Sequence, residues 1–216
     1  MPDRIIAIGD IHGCPKALET LIERIQPTSD DLIIPLGDYI DRGDESPRVL
    51  DLLIDLMGRC ELVPLLGNHE IMLLQAIEDL SNLQFWLQCG GMETVDSYGG
   101  LEYIPEDHLA FLYHCCRHVE TDQYIFLHAN YEADLPLDAQ PDSRLFWEHV
   151  LDSPPLPHYS GKTVVVGHTP QTTGDILDLG HLICLDTHCV GDGWLTAMDV
   201  ETRTIWQADK YGALRD

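Results

Sequence analysis

The stretch "PLGDYIDRGDE", Pro35 to Glu45, follows the apolar run Leu32–Ile34 and puts four acids and one arginine into eight residues. An acidic solvated turn is its plain reading. The rest of the chain gives it another. Upstream, "RIIAI" (Arg4–Ile8) has the length and apolar character of a short buried strand and runs into "GDIHG". Downstream, "ELVPLL" runs into "GNHE". Between them, Pro15 fits the first turn of a helix through "KALETLIERI", and "SPRVLDLLIDLM" forms a second helix with Ser46 as N-cap and Pro47 at N1. "HEIMLLQAI" makes a third. Three successive strand–loop–helix units predict right-handed crossovers and a parallel core.

Regularity lapses after about Ala76. "WLQCGGMETVDSYGG" and "PEDHLAFLYHCC" predict helices joined by turns, so residues 76–120 are expected to form a helical cap within one domain spanning 1–216. Strands resume at "YIFLH", "TVVVGH", "HLICLD", "WLTAMDV" and "TIWQA". The last four lie close together, which predicts antiparallel pairing.

Composition narrows the function. The 216 residues carry a net charge of −25, with only 12 Lys and Arg. Such a surface repels phosphate backbones and anionic membranes, so neither nucleic acid nor membrane is an expected partner. An anionic substrate then needs a local positive centre, and bound cations supply one. No basic-apolar-small pattern opens the chain, and the seven cysteines are odd in number without a CxxC pair. A reduced, cytoplasmic setting is expected. Cys14 fits a small buried thiol better than a nucleophile. The composition does not set an oligomeric state.

The polar residues fall at strand exits. Asp10 and His12 follow the first strand, Asp38 the second, Asn68 and His69 the third, His128 "YIFL", and His168 "TVVV". Glycine directly precedes the first ligand-type residue in four of these five exits. A glycine there lets the chain turn sharply beside its neighbours, and the carboxyl ends of strands in an open α/β sheet line a common crevice. In an extended exit Asp10 and His12 share a face. Asp38 is suited to bridge two ions, and Asn68, His128 and His168 to complete a second site. Oxygen and nitrogen donors without thiolate suit Mn²⁺, Fe or Zn²⁺. Taken singly, each residue has an ordinary reading as a turn, cap or hydrogen-bonded core residue. Five independent strand ends carrying such residues argue against coincidence.

"GDIHG", "GDYIDRG" and "GNHE", in that order, resemble the signature blocks of the phosphoprotein phosphatase branch of the calcineurin-like metallophosphoesterases, with "LHAN" and "GHTP" as its two histidine blocks. The length looks most like the small bacterial and phage members, which act on phosphoserine and phosphothreonine. The resemblance implies an α/β fold: a β-sandwich of mixed sheets flanked by helices. It implies two divalent metals, Mn²⁺ first, the first held by Asp10, His12 and Asp38 and the second by Asp38, Asn68, His128 and His168. It also implies Arg42, with Asn68, on the phosphate oxygens, and His69 as general acid oriented by Asp41. The expected activity is hydrolysis of phosphomonoesters, protein or small-molecule, by a hydroxide held between the metals. Hydrolysis of dinucleoside polyphosphates and a silent metal-binding scaffold are the alternatives. Two departures stand out. His149, in "LFWEH", occupies the place of a second phosphate-binding arginine, which leaves weaker phosphate contacts, Arg144 or Lys162 as substitutes, or a protonated His149 as the alternatives. His188, in "LDTHCV", replaces a common glycine, as a gate near the metals or as a surface-loop histidine.

Overall fold

The computed structural model describes residues 2–215. Two mixed sheets pack face to face. The first forms around β1 (Arg4–Ile8), with β2 (Asp31–Pro35) and β3 (Glu61–Leu62) parallel to it on one side. Helices α1 (Pro15–Ile25) and α2 (Ser46–Met57) supply the crossovers, and α3 (Asn68–Glu78) follows β3.

The second sheet collects β4 (Val119–Glu120), β5 (Tyr124–Phe126), β6 (Thr163–Val166), β7 (Leu177–Asp178) and β8 (Leu182–Cys184), in the order β4-β5-β6-β8-β7. The chain then returns to the first sheet through β9 (Asp186–Thr187), β10 (Trp194–Asp199) and β11 (Thr204–Ala208). β10 lies antiparallel between β1 and β11.

Period-two alternation builds the layers. Ile5 and Ala7 of β1 face Phe126, Val165 and Ile183 of the other sheet, while Ile6 and Ile8 point outward to Leu18, Leu21, Val49 and Leu53 on α1 and α2. On the far side, Ile125, Val164 and Val166 pack against Leu145 and Phe146 of the short helix Asp142–Trp147. The strand–helix units are therefore as expected, and the mixed sandwich flanked by helices is present.

Three expectations need correction. β6 and β8 pair parallel, with Val164 opposite Leu182. Residues 167–181 between them are long enough for a crossover, which parallel pairing requires. The third strand is only Glu61–Leu62, although Val63 N and Leu65 N still donate to Ile33 O and Pro35 O at 2.9 Å; on the other edge the Pro64 carbonyl accepts from Cys116 N at 2.8 Å. Ser46 lies inside α2, and its hydroxyl accepts from Asp41 N at 3.2 Å rather than capping the helix. Residues 83–113 form a run of short helices whose Trp86, Phe111 and Leu112 join the core beside α1–α3.

Candidate active site

The loops leaving β1, β2, β3, β5 and β6 converge on one end of the sandwich. Their backbone is strained there. Eight non-glycine residues have left-handed φ among the described residues, and five of them are His12 (44°), Asp38 (54°), Asp41 (71°), Arg42 (66°) and His168 (61°). Such residues persist only where surrounding structure over-determines them, typically at functional sites. The left-handed turn at His12 replaces the expected extended exit. Close approach explains two of the glycines: a Cβ on Gly67 would collide with Oδ1 of Asp38, and one on Gly167 with Oδ1 of Asp10.

Asp38 is the hub. Its carboxyl lies 3.5 Å from His12 Nε2, 3.4 Å from His128 Nε2 and 3.9 Å from His69 Nε2. Two groups of donor atoms share it: His12, Asp38 and His69, and Asp38, His128 and His168, each within 4.8 Å. Asn68 Oδ1 sits 3.0 Å from His128 Nε2. Asp10 stands outside both groups and accepts from the backbone N of His168 at 3.0 and 3.1 Å.

The imidazoles are aimed. His12 Nδ1 donates to Ile40 O at 2.9 Å and His128 Nδ1 to Leu36 O at 2.8 Å. The Nε2 atoms are thereby turned into the site, that of His12 against the Arg42 guanidinium, in the orientation that metal-ligating histidines adopt. Burial pushes His12 and His168 down to about 3 and lowers His128, so all three are neutral imidazoles at pH 7. His168 Nε2 is the one buried side-chain N or O atom without a hydrogen-bond partner among the described residues. Buried polar groups are rarely left so, and a cation would take this lone pair.

The acids tell the same story. Burial opposes ionisation of Asp38, yet His128, His69, His12 and His168 surround it and hold its carboxyl far below the usual range. Asp10 is pushed well up by burial, by Asp186 and by Asp38. Asp186 itself rises to about 6 through burial, with Asp38 adding to it. Three buried carboxylates without a buried cation form a site that divalent ions would relieve. The residues present therefore fit a pair of metal ions.

His69 is held differently. Its Nδ1 donates to Asp41 Oδ2 at 2.7 Å, leaving Nε2 towards Asp38. Asp41 is itself fixed by Trp86 Nε1 at 2.8 Å and Thr94 Oγ1 at 2.7 Å. Burial works against the His69 cation, but Asp38 and Asp41 outweigh it and raise its pKa. Arg42 reaches in from the exposed rim, with its terminal nitrogen 2.7 Å from His12 Nε2.

Reading the sequence missed four residues. Glu70 accepts from the backbone N of Gly67, Asp38 and Tyr39 at 3.0, 2.8 and 2.9 Å, pinning the β2 exit to α3. Its signal was the capping-box position three residues after Gly67. Asp186 follows "HLICL", a sixth strand exit of the same kind. Trp86 and Thr94 carried no local signal. The proposed substitutes for the second arginine are engaged elsewhere: Arg144 with Glu132 and Glu148, Lys162 with Glu120. His149 packs its ring 4.8 Å from that of His168. His188 donates its backbone N to Asp186, and its ring folds over Gly191, outside both donor groups.

The family model for calcineurin-like phosphoesterases matches residues 3–196. The chain belongs to this family. Among curated proteins it is 35% identical over 136 residues to serine/threonine-protein phosphatase 2 of Salmonella typhimurium, covering 60% of each chain. It is 30% identical over 167 residues to the symmetrical bis(5'-nucleosyl)-tetraphosphatase of Erwinia tasmaniensis, covering 62% of this chain and 59% of that one. The matches thus span about 60% of these relatives. Among solved structures, one provisionally described as a diadenosine tetraphosphatase superposes with TM-score 0.73 at 24% identity, covering 96% of this chain and 95% of that one. A cold-active protein tyrosine phosphatase superposes with TM-score 0.71 at 18% identity, covering 100% and 78%. Among the described residues no helix is long and apolar enough to cross a membrane.

Proposed function

We propose that the chain hydrolyses phosphomonoesters with two divalent ions, and that phosphoserine and phosphothreonine in proteins are its first substrates. One observation carries the metal-dependent reading. Neutral His12 and His128, with Nδ1 tied to backbone carbonyls, and neutral His168, with Nε2 buried and unpartnered, gather around the single carboxylate of Asp38. Asp10, His12 and Asp38 would hold one ion, and Asp38, Asn68, His128 and His168 the other. Such a pair polarises phosphoryl oxygens and activates water at neutral pH.

The remaining groups do the rest. Arg42 offers a planar fork of donors to the phosphate oxygens. His69 donates the Nε2 proton to the departing oxygen, and Asp41 keeps Nδ1 protonated so that the proton leaves from the correct nitrogen. Closure of Trp86 and Thr94 over Asp41 excludes water from that hydrogen bond. The relative from Salmonella supports the phosphoprotein reading by name. Dinucleoside polyphosphates are the second reading, favoured by the name of the Erwinia relative and by a cation-lined pocket beside Arg42.

Hydrolysis of p-nitrophenyl phosphate and of a phosphothreonine peptide tests the reading. Activity lost to EDTA and restored by Mn²⁺ supports it. A metal-replete protein inert toward every phosphoester would leave only the scaffold alternative.

A further inference from the structure

The roles of His12 and Arg42 meet at one atom. His12 Nδ1 lies 2.9 Å from Ile40 O, which can only accept, so Nδ1 carries the proton. Burial keeps the ring neutral at pH 7. Its one lone pair is then on Nε2. A terminal nitrogen of Arg42 stands 2.7 Å from that atom and donates to it. The same lone pair is the one His12 would offer to a cation beside Asp38. It serves one partner at a time.

The guanidinium is the half of this pair that is free to move. The Arg42 backbone is fixed: its φ is 66°, its N donates to Gly90 O at 3.0 Å, and a Cβ on Gly90 would come within 2.7 Å of Arg42 Cγ. Beyond that stem the residue is exposed, and among the described residues the ion pairs of lysine and arginine with carboxylates all belong to other side chains. From its seat on His12, Arg42 still acts on the buried acids. Burial drives Asp10 and Asp186 upward, and the positive charge of Arg42 opposes that rise in both. A guanidinium on a metal-type nitrogen, facing these acids, does in part what a divalent ion would do there.

We infer that Arg42 is a latch on the first metal position: its guanidinium and the first ion are alternative partners of His12 Nε2. His12 releases the fork on taking that ion, and the released fork is the one that meets a phosphate. The inference rests on the metal-dependent phosphoesterase reading and adds an order to it, cation before phosphate. Side-chain torsions alone carry the change, because Gly90 holds the Arg42 backbone. Arg42 therefore lowers metal affinity, since apparent affinity falls by the fraction of molecules in which the competent arrangement is populated.

Calorimetric titration of the EDTA-stripped full chain with Mn²⁺ tests the latch, with Arg42→Met and Arg42→Lys beside the native protein. Arg42→Met removes the charge and the donor. Arg42→Lys keeps the charge, but its ammonium ends one bond short of the arginine's terminal nitrogen on the same fixed backbone. In each variant one Mn²⁺ step should tighten by about tenfold. Native affinity in Arg42→Lys with a gain in Arg42→Met would mean plain charge repulsion and overturn the latch, as would no gain in either. Long-range proton–nitrogen NMR of the stripped protein gives a second readout. The His12 Nε2 signal, identified by its loss in His12→Gln, should shift in Arg42→Lys; an unmoved signal overturns the hydrogen bond on which the latch depends. Tightened Mn²⁺ binding in both variants, with no phosphoester turnover by the native protein, would uphold the latch and remove the phosphoesterase reading. No Mn²⁺ binding in any of the three proteins overturns both.

Discussion

The indole Nε1–H of Trp86 donates to Oδ2 of Asp41 at 2.8 Å, the same oxygen that accepts from His69 Nδ1 at 2.7 Å. A residue of the helical segment after α3 therefore controls how firmly the proposed acid is aimed. Trp86→Phe keeps the bulk of a fully buried ring and removes this one donor. We expect kcat to fall about tenfold with KM little altered, as measured by steady-state kinetics on a phosphopeptide. A change in KM alone would show that Trp86 serves binding instead.

His69→Asn should separate substrates by leaving group. Alkyl phosphates need the proton that His69 Nε2 supplies and should lose about 10²–10⁴-fold in kcat/KM. p-Nitrophenyl phosphate, whose leaving group is stable as an anion, should lose far less. Equal losses on both would reassign His69 to metal binding, where its position within 4.8 Å of His12 and Asp38 also places it.

Asp38→Asn removes the charge shared by both donor groups. Mn²⁺ affinity, followed by calorimetry, should drop by at least about 100-fold, and hydrolysis should vanish with it. Glu70→Gln acts one layer out. The amide offers one acceptor oxygen where Glu70 takes four backbone N–H groups on two. Metal affinity should weaken about 10–100-fold without loss of any ligand.

Asp31 gives an acid-stability prediction away from the site. Arg4 donates to it from Nε at 2.8 Å and from its terminal nitrogen at 2.6 Å, and Thr28 N adds a bond at 2.7 Å. The Arg4 hydrogen bonds hold the Asp31 carboxyl below its ordinary value, in spite of its burial. A depressed folded-state pKa contributes stability above the unfolded value of about 4, and that contribution is lost as pH falls through the folded value. Asp31→Asn should therefore cost about 2 kcal/mol in urea unfolding at pH 7. Its deficit should shrink as pH is lowered below about 4. A deficit independent of pH would mean that packing, not the charge, is what the substitution removes.

Much of this was legible in the sequence because it is local. Glycine and a ligand-type residue at the end of an apolar run mark a strand exit, and Asp10, Asp38, Asn68 and His168 all carry that mark. The parallel β6–β8 pairing was not legible, because proximity in sequence suggests hairpins until the length of 167–181 is weighed against the crossover it permits. Trp86 and Thr94 reach Asp41 across 45 and 53 residues, and nothing in their neighbourhoods signals it. Arg144 and Lys162 looked available because ion pairs to Glu132 and Glu120 exist only once the chain is folded. The left-handed backbone at Asp41 and Arg42 was equally hidden, since neither residue type demands it.

The donor groups straddle the seam of the sandwich. His12, Asp38 and Asn68 leave strands of the first sheet, His128 and His168 strands of the second. A cation seated among them would rivet the two sheets together at one edge, much as a clasp closes a book along its open side. Metal loss should then loosen the molecule anisotropically: amide exchange should quicken first along the β2 and β6 exits, while the opposite hem, laced by the Tyr124 hydroxyl to Val200 O at 2.8 Å, stays shut.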